Sequence, residues 1–151
     1  MKNKFFALLP MFVLLAGALS FSSCEKGDDD DENEGGKGSH NAGMDCLACH
    51  KSGGEGEGTF RVGGTVYNAS NAGLDGAVVK LYATADRTGN AVATMTSDGS
   101  GNFYTKSAVT FGTGLYATVT SGSAKSEMIS PITSGACSSC HGSSLAKITV
   151  N

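Results

Sequence analysis

Between residues 60 and 134, apolar and polar positions alternate in short runs broken by turn residues. FRVGGTVY (60–67), AVVKLYA (77–83), AVATMTS (91–97), NFYTK (102–106) and LYATVTS (115–121) are rich in Val, Thr, Tyr and Phe, which suit a pleated, half-buried surface. In the last run Leu115, Ala117 and Val119 share one face, while Tyr116, Thr118 and Thr120 share the other. That is the period-2 pattern of a strand. AKSEMI (124–129) and LAKITV (145–150) bring the total to about seven strands. The intervals NASNAGLDG and SDGSGN are dense in Asn, Asp, Gly and Ser, which supply positive φ and local side-chain turns. No segment has the spacing of an amphipathic helix of about ten residues or more. The pattern predicts an all-β domain, an antiparallel sandwich of about seven strands.

The N-terminal pattern is different. MKNK is followed by a 15-residue apolar run, FFALLPMFVLLAGAL (5–19), and then small residues up to Cys24. This is the order of a secretory signal, and the run is shorter than the ~20 residues that span a bilayer. LSFSSC resembles a lipobox, with Phe21 in place of the usual aliphatic residue. That resemblance implies cleavage after Ser23 and a diacylglycerol thioether on Cys24. It also leaves the other four of the five cysteines as two pairs. Residues 25–34 hold seven of the fourteen acids. With no apolar periodicity, residues 24–45 read as an extended, solvated tether, and residues 46–151 as the folded domain. DDDDEN does not match the ligand spacing of an EF-hand loop. An acidic run behind a lipidated cysteine resembles the surface-export signal of some Gram-negative lipoproteins. The expected location is therefore the outer membrane, facing the cell surface.

From His40 onward seven acids meet seven basic residues. A basic face is lacking, so nucleic acid is not an expected partner. Tryptophan is absent and 22 residues are glycine, so any core is modest in aromatic content.

GTVYNASNAGLDGAVVKLYA and TSDGSGNFY resemble the carboxypeptidase-regulatory, or transthyretin-like, modules of bacterial surface proteins. The matching residues are Gly64, Val66, Gly76, Ala77, Val79, Asp98, Gly101 and Phe103. The likeness covers about half the chain and implies a β-sandwich scaffold. It implies no activity.

The chemistry lies in CLACH (46–50) and CSSCH (137–141). C-x-x-C-H is the pattern of covalent haem attachment: two thiols add to the haem vinyl groups and the next histidine ligates iron. The expected thioether residues are Cys46, Cys49, Cys137 and Cys140, with His50 and His141 as proximal ligands to two covalently bound haems. A four-cysteine zinc site or disulfides would use the same cysteines. Neither alternative requires a histidine behind each pair. With only three histidines in the chain, the double coincidence is about 1 in 2,500. The chain thus resembles a small dihaem c-type cytochrome whose haem motifs flank a transthyretin-like sandwich.

Distal ligands are fewer than the sites. His40 is the third histidine and lies in the tether, so ligation requires it to fold back or to reach a neighbouring subunit. Met128, near the second motif, is the methionine candidate; Met44 is too close to Cys46, and Met95 sits within a strand. The first and last strands lie beside the motifs. Antiparallel, they place the haems at opposite ends; parallel, at one end. The expected function is electron transfer without enzymatic activity. Redox proteins or neighbouring cytochrome subunits are the expected partners, the latter in a homo-oligomer or filament. The alternatives are a dihaem peroxidase-like enzyme and a non-haem surface binding module. Intact-mass analysis of the membrane fraction is expected to find a diacylglycerol adduct on Cys24. Cys24→Ala is expected to release the protein, and an unmodified Cys24 thiol would refute the lipoprotein assignment.

Overall fold

The computed structural model describes residues 39–150. The expected signal peptide, Cys24 and the acidic run at 25–34 lie outside these described residues. Seven strands form, β1 Val62–Tyr67, β2 Val78–Tyr82, β3 Ala93–Thr96, β4 Asn102–Thr105, β5 Tyr116–Ser121, β6 Ala124–Glu127 and β7 Ile148–Thr149. Each falls within one of the expected segments. Two single helical turns, α1 Cys46–Cys49 and α2 Cys137–Cys140, coincide with the CxxC pairs.

The strands make two sheets, ordered β4-β1-β7 and β3-β2-β5-β6. All pairings are antiparallel except one: β7 runs parallel to β1, with Val66 opposite Ile148. The wholly antiparallel expectation is corrected there. The reason lies in the route of the chain. It first joins the β1 edge at Gly135–Ala136, with Ala136 bridging Gly63 in parallel, and rejoins the same edge at Ile148. The residues between, including CSSCH, form an excursion from that edge.

β1 is buried along its whole length, because both of its faces are covered. Successive side chains of a strand point to opposite faces. Val62 and Val66 enter the common core with Phe103, Val79, Leu81, Met95 and Val119, drawn from both sheets. Burial of these apolar surfaces is the main stabilising term. Met95, read as a strand methionine, is a core residue. On the other face, Thr65 accepts a hydrogen bond from the Gly43 N–H at 2.8 Å and donates to Asn102 Oδ1 at 2.6 Å. Asn102 in turn donates from Nδ2 to Ser39 Oγ at 2.6 Å and to the His40 carbonyl at 3.1 Å. The packed chain therefore begins by Ser39, inside the expected tether.

The Asp98–Phe103 turn anchors β4. Asp98 Oδ1 accepts from Ser100 N and Asn102 N at 2.9 and 3.2 Å. Gly101 adopts φ +80°, and a Cβ there would lie 2.2 Å from the Val66 carbonyl oxygen. Only glycine permits both the left-handed backbone and this approach. Phe103 is thereby delivered to the core at 1% exposure.

Asn102→Leu removes the acceptor of Thr65 and both donors to the 39–40 segment. The expected loss is about 1–3 kcal/mol in urea unfolding, with faster amide exchange across residues 39–45. Unchanged exchange in that segment would show that the Asn102 contacts do not hold it.

Candidate functional site

In each motif a single helical turn sets the geometry. His50 N–H donates to the Cys46 carbonyl at 2.9 Å, and His141 N–H donates to the Cys137 carbonyl at 3.0 Å. Positions i, i+3 and i+4 share one face of a helical turn. Each turn therefore brings the backbone of two cysteines and one histidine into a single short segment. Asp45 caps the first turn, accepting from Leu47 N at 3.1 Å. The second has no side-chain cap, and its entry is held instead by the Gly63 N–H donating to the Gly135 carbonyl at 2.9 Å.

Both motif histidines present the same ring atom to the backbone. His50 Nδ1 lies 3.0 Å from the Glu57 carbonyl oxygen, and His141 Nδ1 lies 2.7 Å from that of Ala146. A carbonyl can only accept, so each Nδ1 carries a proton and the ring's other nitrogen, Nε2, is the one not engaged by that carbonyl. This is the usual outer support of a metal-ligating histidine. Gly56 belongs to the same fit: a Cβ there would come within 2.7 Å of His50 Nδ1. His50 is further fixed by stacking on Phe60 at 4.0 Å, and Phe60 stacks on Tyr104 at 4.1 Å. The His40 ring lies 5.8 Å from that of His50, so the tether histidine is placed beside the first motif.

The second motif opens on a cavity of about 510 Å³, a size in the range of small-molecule and cofactor sites. Leu81, Phe103, Met128, Cys137, Cys140 and His141 are among its lining residues. Met128 and His141 thus face one space. The Met128 backbone is held by Arg87, whose Nη2 donates to its carbonyl at 2.5 Å and whose Nη1 pairs with Glu127 at 3.6 Å. Arg87 itself adopts φ +54°, an uncommon backbone state for a non-glycine residue. Met44, by contrast, is half exposed.

The cysteines differ from those of a redox pair. Burial pushes the Cys137 thiol up to about 12, with the nearby Cys46 adding to the effect. Burial likewise raises Cys46. A redox-active CxxC needs a depressed pKa. Among the described residues, no three His, Cys, Asp or Glu side chains converge on a metal position. Cys46, Cys137 and Cys140 carry free thiols. Cys49 is disulfide-bonded, and a thioether at this sulfur requires prior reduction of that bond.

Sequence reasoning did not identify Phe60, Tyr104, Arg87 or the Gly63–Gly64 pair as part of these sites. The glycines did carry a signal, since glycine within a strand marks a close approach. The aromatic stack carried none, because Phe60 meets Tyr104 only through the pairing of β1 with β4. Comparison with family models, with curated proteins and with solved structures finds no match.

At pH 8 the folded, haem-free chain is expected to alkylate at Cys137 at least about a hundredfold more slowly than the same chain in denaturant. The sign follows from the raised pKa: the folded thiol stays protonated until about pH 12, whereas the unfolded thiol ionises near 9.0. Equal rates in the two states would show that the sulfur is not buried.

Proposed function

We propose that this chain is a small dihaem c-type cytochrome built on a transthyretin-like sandwich, and that its function is electron transfer. The observation that carries this reading is the shared state of His50 and His141. In both motifs Nδ1–H is tied to a backbone carbonyl, an outer contact that would orient Nε2 for ligation. A zinc-free scaffold stapled by disulfides gives no reason for two such histidines.

The residue types fit the group, provided the Cys49 disulfide is first reduced. Cys46 with Cys49, and Cys137 with Cys140, would hold the two haems through thioethers, and His50 and His141 would provide the proximal nitrogens. The haem iron, when bound, supplies one-electron chemistry. The protein's part is to hold and tune it. Phe60 fixes the His50 ring from one side, and Leu81 and Phe103 give the cavity at the second site apolar walls. Met128 is the sixth-ligand candidate there, supported by its position on the His141 cavity. His40 is the corresponding candidate at the first motif, supported by its ring lying 5.8 Å from His50.

A signal run, a lipobox-like Cys24 and an acidic segment behind it place the protein, in this reading, on the outer membrane of a Gram-negative cell. It would be anchored by lipid and face outward, with redox proteins or neighbouring copies as electron partners. In this reading the haem sites would serve a carrier.

Protein made with a c-type maturation system is expected to retain two haems per chain after denaturation, read by pyridine haemochrome and intact mass. Cys137→Ala with Cys140→Ala is expected to leave one. Met128→Ala should keep both haems but lower one reduction potential, on the order of 100 mV. Retention of no haem would refute the cytochrome, and zinc analysis would then decide the alternative.

A further inference from the structure

We propose that Gly63 and Gly64 form a shared seat for the two CxxCH turns, one on each face of β1, so that the two haems act as one electronically coupled pair. The inference rests on the haem reading above, and it selects the arrangement in which both haems lie together.

The two glycines are the side-chain-free part of an otherwise bulky strand, VGGTVY. A Cβ on Gly63 would lie 3.0 Å from Cys46 Cβ and 3.3 Å from its sulfur. A Cβ on Gly64 would lie 2.8 Å from Cys137 Cβ and 2.9 Å from the Phe103 ring. Consecutive strand residues project to opposite faces. The first cysteine of each motif is therefore seated on the same two residues of backbone, with no side chain of those residues between them.

The second turn is locked to this place independently of its cysteines. Gly63 bridges Ala136 in parallel and donates to the Gly135 carbonyl. Gly135 approaches so closely that a Cβ would lie 2.0 Å from the Arg61 carbonyl oxygen. The first turn is held by the Gly43–Thr65–Asn102 hydrogen bonds one residue further along β1. Neither turn can leave the strand without breaking contacts outside its motif. With haem bound at both motifs, the arrangement would serve exchange of one electron, one iron being oxidised from ferrous to ferric as the other is reduced from ferric to ferrous. No proton or co-reactant takes part.

The test has one arm with haem and one without. In the fully oxidised protein, low-temperature EPR is expected to differ from the sum of two single-haem variants, Cys46→Ala/Cys49→Ala and Cys137→Ala/Cys140→Ala. The difference expected is broadening or lost intensity from spin–spin interaction, and a wild-type spectrum equal to that sum overturns the coupled pair. In haem-free protein, Gly63→Ala is expected to speed alkylation of Cys46 by about tenfold and leave Cys137 unchanged, with Gly64→Ala doing the reverse. Identical responses of both cysteines, or none, overturn the shared seat. Should Gly64→Ala fail to fold, Gly63→Ala and the spectra decide. If the protein retains no haem, the haem reading falls, while the alkylation rates still decide whether the glycines seat the two cysteines.

Discussion

The close approach of two helical turns to one glycine pair is the constraint on which the arrangement of this protein depends. β1 has to serve two masters, a hydrophobic core on one face and a polar, packed N-terminal segment on the other. Val62 and Val66 satisfy the first; Thr65, through Gly43 and Asn102, satisfies the second. Between them, Gly63 and Gly64 leave room for Cys46 and Cys137. Any side chain at either glycine would meet a cysteine at or inside ordinary contact distance. Glycine weakens a strand by its entropy and its lack of packing, so its use twice in succession at the centre of the molecule calls for a compensating contact. The two turns supply it.

The motif histidines are oriented by contacts outside their own motifs. A histidine behind CxxC can rotate, and the hydrogen bond at Nδ1, aided at His50 by stacking on Phe60, fixes its aim. Here the acceptors are backbone carbonyls at Glu57 and Ala146, seven and five residues downstream. Each loop after its motif therefore curls back over the imidazole. Gly56 allows this at the first site by its absent side chain. Burial of Cys46 and Cys137 favours the neutral state of their thiols.

The two sites are supported unequally. The first rests on a polar face, where an aromatic stack from His50 through Phe60 reaches the half-exposed Tyr104. The second faces a cavity bounded by core residues of both sheets. Low polarity around a redox centre shifts its potential, so in the cytochrome reading the two centres differ because their surroundings do.

The sequence by itself determined which segments become strands, since period-2 alternation and Asn/Asp/Gly turns act over a few residues. It also marked the Asp98–Gly101–Phe103 turn and the two cysteine pairs, whose spacing is local chemistry. Long-range placement was not written in any local pattern. The parallel run of β7 beside β1 follows from where the chain re-enters an edge, and the packing of His40 beside His50 follows from hydrogen bonds between Asn102 and residues more than sixty positions earlier. So does the meeting of the two motifs, about ninety residues apart, on adjacent glycines. Only the tertiary structure decided these, because backbone hydrogen bonding and burial select partners across the chain that no short-range pattern encodes.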